Sequence, residues 1–309
     1  VSSRIYRGWV VYLSAILTMI ITPGGDQACA APVQPSLADN RPLHLGKIIL
    51  SQTRVPRYEK VEFRLELQGA YENVFDPQEI EVNGRFRSPD GKTVIVPGFY
   101  FQDYTRRLRG RVEILTPKGP AGWRIRFAPT RAGRYTVVVT ARDRTGKRVQ
   151  SQPVRFECIP SQNPGFVRRS PTDARYFIFD NGRPYVPIGA NVCWGGARGT
   201  FDYDDWLPRY GTAGCCYFRV WLGPGWTTFG LERVGELADR YGVGKFDLAN
   251  AWRLDYVLDL AARNGLYVML CIDSFNELRK EREGAYGGWG STPHNAANGG
   301  PLKEPREFW

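Results

Sequence analysis

The sequence predicts a multi-domain protein, an immunoglobulin-like β-sandwich followed by a parallel α/β domain, and three observations lead there. Residues 45–158 alternate apolar and polar side chains in short runs: Val61, Phe63, Leu65 and Leu67 against Glu62, Arg64 and Glu66, then Trp123, Ile125 and Phe127, then Tyr135, Val137, Val139 and Ala141. Beyond residue 185, continuous apolar runs alternate with helical spacing in the order strand, helix, strand, helix, strand, which suits a parallel sheet. A length of 309 residues gives a prior of two domains, and 42% hydrophobic with 13% aromatic content supplies a core for each.

Residues 1–31 read as a secretory signal peptide. Arg4 and Arg7 precede an apolar run from Trp9 to Thr22, and Ala28-Cys-Ala30 followed by Ala31 offers small residues for cleavage. The expectation is a secreted protein, extracellular or periplasmic, with no stable membrane span after cleavage; an uncleaved anchor is the alternative.

Residues 45–158 hold turn signals at Ser88-Pro-Asp-Gly91, Arg131-Ala-Gly133 and Asp143-Arg-Thr-Gly146. About seven short strands in such a span suggest a sandwich, and Gly133-Arg-Tyr135 has the look of a tyrosine corner, with Val137 where a second disulfide cysteine would stand. Between residues 32 and 158 there are 23 Lys and Arg against 13 acids, so this segment carries nearly all of the net charge of +11. Two readings stay open: a solvated Arg-rich sheet face, or a surface for an anionic partner such as an acidic polymer. No nucleic-acid partner is expected.

Residues 159–184 form a linker with a hairpin. Pro160 and Pro164 interrupt the chain, and Tyr176-Phe-Ile-Phe179 and Tyr185-Val-Pro-Ile188 flank the turn Asp180-Asn-Gly-Arg183. Residues 185–309 then give strands at Tyr185–Ala190, Cys215–Trp221 and Leu266–Cys271. The helix before the third strand runs over Phe246–Asn264, with Leu248, Ala251, Leu254, Leu258 and Ala261 on its apolar face, Asp247 as N-cap and Gly265 as stop. The unbroken apolar run of the third strand suits cover on both faces, and Asp273, Ser274 and Asn276 appear where it ends.

Several chemistries are disfavoured. Two histidines, His44 and His294, leave little for a zinc hydrolase or a Ser-His-Asp triad. The five cysteines after residue 31 lack CxxC spacing, and neither a phosphate-binding Gly-Lys-Ser/Thr loop nor a dinucleotide fingerprint occurs. Neither a metal nor a cofactor is expected.

The motifs Tyr71-Glu-Asn-Val-Phe-Asp-Pro77, Ser88-Pro-Asp-Gly-Lys92 and Val96-Pro-Gly-Phe-Tyr100 resemble the immunoglobulin-like module at the N-terminus of certain secreted bacterial glycoside hydrolases. Pro187-Ile-Gly-Ala-Asn-Val-Cys-Trp194, Asp202-Tyr-Asp-Asp-Trp206, Phe218-Arg-Val-Trp221, Trp252-Arg-Leu-Asp255, Leu270-Cys-Ile-Asp273 and Asn295-Ala-Ala-Asn-Gly-Gly300 resemble the opening half of a clan A, family-five-like (β/α)8 glycoside hydrolase. That resemblance implies a TIM-type barrel represented by about its first three β/α units, the hairpin lying beneath it and the site at the carboxyl ends of the strands.

It also implies roles. Arg219 would support the nucleophile as a fixed cation, and Asn191, Trp194, Trp221, Asp273, Asn276, Trp289 and Asn295 would bind sugar, with Trp226 at the same rim. Glu277 follows the third strand where the family places its acid/base after the fourth, so it reads as a loop residue. The catalytic pair is expected downstream of Trp309. From Tyr185 only 125 residues remain, against about 250 for a barrel. The expected function is a glycoside hydrolase for a polysaccharide or oligosaccharide, present as an N-terminal portion inactive alone. The alternative is a non-catalytic carbohydrate-binding or surface-adhesion protein that uses the sandwich.

Overall fold

A computed structural model describes residues 38–192, 195–222, 229–232, 242–272, 278–279 and 288–308. Its first ten strands are β1 (Asp39–Leu50), β2 (Arg54–Pro56), β3 (Val61–Tyr71), β4 (Ile80–Arg87), β5 (Thr93–Pro97), β6 (Phe99–Arg109), β7 (Val112–Phe127), β8 (Gly133–Asp143), β9 (Arg148–Gln150) and β10 (Val154–Ile159). They make two sheets, ordered β1-β3-β7-β6 and β2-β10-β8-β4-β5, with β9 added beside β8.

Strict alternation explains why these sheets face each other. Val61, Phe63 and Leu65 of β3 and Ile125 of β7 point inward from the first sheet; Val82 and Phe86 of β4, Val137 and Val139 of β8 and Phe156 of β10 point inward from the second. Removing each such side chain from water is worth about 1.5–3 kcal/mol. Phe127 stacks on Phe86 at 4.2 Å and Tyr135 on Phe156 at 5.1 Å, so rings from both sheets interlock. The Tyr135 hydroxyl accepts a hydrogen bond from the Arg131 N–H at 3.1 Å.

The connector folds as a small sheet of β11 (Val167–Arg169), β12 (Phe177–Phe179) and β13 (Pro184–Tyr185). Gly182, at φ 85°, turns β12 into β13. Phe179 and Tyr185 pack their rings on Tyr267, at 5.2 and 5.3 Å.

The remaining regular elements are β14 (Gly189–Asn191), α1 (Thr200–Thr212), β15 (Tyr217–Trp221), α2 (Leu248–Arg263) and β16 (Tyr267–Cys271). The three strands are parallel in the order β14-β15-β16. Phe218 and Val220 turn one face of β15 towards the helices, where they join Tyr203, Leu207, Val257 and Ala261. Asp247 caps α2 as expected, accepting from the N–H groups of Ala249 and Asn250 at 2.9 and 3.1 Å.

The barrel expectation is corrected here. Among the described residues 46% are strand and 16% helical, with two α-helices, so the chain is not a (β/α)8 TIM barrel, although it does contain several sheets in more than one domain. Among the described residues the parallel sheet is open, and the run read as covered on both faces is exposed on both towards its end: Met269 on one face is 50% exposed, and Leu270 and Ile272 on the other are 39% and 72% exposed. Uniform apolarity cannot distinguish a doubly covered strand from one lying at a sheet edge. The run read as one strand over Tyr185–Ala190 also divides, because Pro187 has no N–H for a ladder; Tyr185 belongs to the hairpin, and the parallel strand starts at Gly189.

Candidate functional site

Register sets the geometry at the parallel strands. Asn191 lies opposite Arg219, Arg219 opposite Met269, and Trp221 opposite Cys271. Side chains alternate along a strand, so Arg219 and Trp221 share the face of β15 turned away from the helices. Gly189 permits the close approach of β14 to β15, since any Cβ there would run into the Tyr217 carbonyl. Arg219 donates from Nε to the Cys271 sulfur at 3.1 Å, and its guanidinium carbon lies 4.9 Å from the centre of the Trp221 ring. Both side chains are half-buried and Asn191 is exposed. An amide, an oriented cation and a flat apolar ring therefore converge at one end of an open parallel sheet, where ligands of such sheets gather. They can hydrogen-bond a hydroxyl, hold a carboxylate and stack on a sugar ring, but they cannot themselves transfer a proton near neutral pH.

Trp289 and Asn295 make local bonds within the last described segment. Trp289 is 8% exposed and donates from its indole N–H to the Lys303 carbonyl at 3.3 Å. The Asn295 amide donates to the Trp289 carbonyl and accepts from the Ala297 N–H, both at 2.9 Å. These two residues, expected at a sugar site, fold the 288–308 segment on itself. The motif Asn295-Ala-Ala-Asn-Gly-Gly300 is an Asn-capped turn that Gly299, at φ 83°, completes. Trp194, Trp226, Asp273, Asn276 and Glu277 lie outside the described residues.

A second constellation escaped the sequence reading. The basic face of the first sheet meets acidic side chains of both helices. Arg126 Nη1 is 2.7 Å from Asp255, Lys60 Nζ 2.8 Å from Asp259, and Arg106 Nη2 2.7 Å from Asp204. Burial raises the Asp255 carboxyl above its usual range against the lowering pull of Arg126. At the centre is Glu113, with no side-chain exposure, which accepts from Arg253 Nε at 2.6 Å and from the N–H and hydroxyl of Thr200. Part of the sandwich's positive excess is thus spent inside the molecule, a use that neither surface reading contained. The signal available was parity: Glu113 falls in phase with Leu115, a buried residue.

A family model, a domain of unknown function called DUF5060, matches residues 54–142. Curated proteins gave no match. Among solved structures, a candidate glycoside hydrolase from Bacteroides vulgatus ATCC 8482 aligns with a TM-score of 0.52 at 21% identity, covering 72% of this chain and 41% of the other. A likeness at that identity shows a shared fold and nothing beyond it. The chain spans about two fifths of that relative's length. A family 39 glycoside hydrolase from Bacteroides cellulosilyticus WH2 aligns at 14% identity over 72% of this chain and 33% of its own, with a TM-score of 0.21 that carries no weight. Among the described residues no helix is long and apolar enough to cross a membrane.

Proposed function

We propose that this protein acts on saccharides as part of a secreted glycoside hydrolase, with a polysaccharide or oligosaccharide lying across the carboxyl ends of β14, β15 and β16. The observation that carries the reading is the convergence of Asn191, Arg219 and Trp221 at that end. Trp221 offers the ring face, Asn191 a hydroxyl partner, and Arg219 a cation that positions a carboxylate. The fold shared with the Bacteroides vulgatus protein supports it, while chemistry has to be argued from the site. Glycoside cleavage needs two carboxyl groups, about 5–9.5 Å apart depending on mechanism. The carboxylates that follow the third strand in sequence, Asp273 and Glu277, lie on one strand and its loop rather than on opposite sides of a bound sugar, so binding without turnover is the expectation for these 309 residues.

The test is calorimetric binding of β-glucan, mannan and xylan oligosaccharides, with product release measured in parallel. Trp221→Ala should weaken the best ligand about tenfold. Equal affinity in the variant, or no binding by the parent protein, counts against the site. Binding that survives Trp221→Ala would favour the second reading, a carbohydrate-binding protein working through its sandwich, for which an open groove between the sandwich's end and the connector hairpin is the supporting observation.

A further inference from the structure

At one end of the sandwich, the β4–β5 turn, the β7–β8 turn, the chain after β2 and the connector hairpin enclose an open groove of about 800 Å³. Small-ligand sites occupy about 300–1,000 Å³. Arg57, Arg131 and Arg168 line it together with Asp90 and Asp180. Arg131 and Arg168 each bind an aspartate through Nε, at 3.0 Å to Asp90 and 2.8 Å to Asp180, so their paired Nη groups remain for another acceptor. Arg57 has no carboxylate partner among the described residues, and its Nε is enclosed by protein, which leaves the Nη groups to meet a ligand. A carboxylate can take two parallel bonds from such a pair.

The groove is built rather than incidental. Tyr58, on its wall, holds a left-handed backbone at φ 70°, which a residue with a side chain adopts at a cost. Its ring carries Arg57 at 5.0 Å and meets the edge of Phe166 at 5.5 Å. Gly165, at φ 94°, lets the hairpin close there, because a Cβ would come within 2.9 Å of the Tyr58 ring and 2.6 Å of Asp180. Phe166 remains 41% exposed beside Arg168.

We infer that this groove binds an acidic saccharide, with the carboxylate of a uronate residue seated among Arg57, Arg131 and Arg168 and its ring against the adjoining aromatic side chains. Three guanidinium groups against two carboxylates leave one net positive charge, which matches one carboxylate on a sugar. A polyphosphate chain would call for a row of unpaired cations instead. The inference takes the saccharide class from the function proposed above and adds acidity and a location distinct from the strand ends.

Calorimetry of the 309-residue protein with a galacturonic-acid oligomer, and with a cello-oligosaccharide of equal length, tests it. Arg57→Gln should weaken the acidic oligomer by about tenfold or more and leave the neutral one unchanged. The double variant Arg131→Gln with Arg168→Gln is the second probe, should Arg57→Gln fail to fold. Arg85→Gln with Arg155→Gln removes charge from the exposed face of the second sheet and should cost less than about twofold, because such charges are screened. Equal losses in groove and face variants would overturn the inference. So would binding of the neutral oligomer alone, which leaves the strand-end reading intact. Failure to bind the acidic oligomer also overturns it, and the strand-end reading then rests on Trp221→Ala by itself.

Discussion

Asp143 shows how one side chain ties distant segments together. It is 1% exposed and accepts from the Ala70 N–H at 3.1 Å, the Thr145 N–H at 3.0 Å and the Thr145 hydroxyl at 2.6 Å. Burial pushes its carboxyl up, but those three bonds outweigh burial and hold it below the ordinary aspartate range. As pH falls, the unfolded chain therefore takes up this proton first. The stabilisation is complete above the unfolded value and is lost as pH drops through the lower, folded one. Asp143→Asn should cost about 2 kcal/mol at pH 7, since one accepting oxygen becomes a donor, and the deficit should shrink below about pH 4. Urea unfolding of both proteins at pH 7, 5 and 3 measures this. A deficit independent of pH would show that the carboxylate charge is irrelevant there. In the sequence, Asp143 was legible as the start of a turn but not as a cross-sheet anchor, because its partner Ala70 is 73 residues away.

At the scale of elements, the sequence revealed those whose signals are local. The helix expected over Phe246–Asn264 is α2, Leu248–Arg263, with its cap at Asp247. The sandwich strands followed from alternation and the hairpin from Asn181-Gly182. Helix α1 was harder to see, because Pro208 stands inside it and Gly199, at its N-cap, has no side chain to cap it. Burial of Tyr203 and Leu207 overrides the proline, and Glu113 from the sandwich supplies the cap at the Thr200 N–H. Pro208→Ala should restore a donor towards the Asp204 carbonyl and stabilise the protein by about 1–3 kcal/mol. A raised thermal midpoint is the expected result, and a lowered one would mean that the proline ring serves packing. Regular strand register, which the apolar runs signal, is what brings Arg219, Trp221 and Asn191 to one strand end. The local amide bonds of Trp289 and Asn295 carry no periodic pattern, so the sequence held no signal for them.

For the whole molecule, ion pairs and ring contacts join two cores. The sandwich core and the helix-backed parallel sheet are separate apolar clusters, and between them lies a small contact of Tyr104, Leu115 and Ala249 with Trp252 against it. Glu113 is the buried centre of that junction. Glu113→Ala should cost about 3–5 kcal/mol of coupling, because it breaks a buried ion pair between the two parts. Calorimetry should then resolve two transitions, with the sandwich retaining the higher and residues 38–160 expressed alone melting cooperatively at the same temperature. A single unchanged transition would mean that the apolar contact suffices. The β6–β7 ribbon that carries Glu113 near its tip has a further consequence, one of timing during synthesis. Arg253 follows Glu113 by 140 residues, and a ribosome adds about 5–20 residues per second, so roughly ten seconds separate the two ends of this ion pair. Through that interval the sandwich can finish folding with Glu113 still hydrated. The ribbon is thus already in place as a template when α1 and α2 emerge, and the order of translation sets the order of assembly.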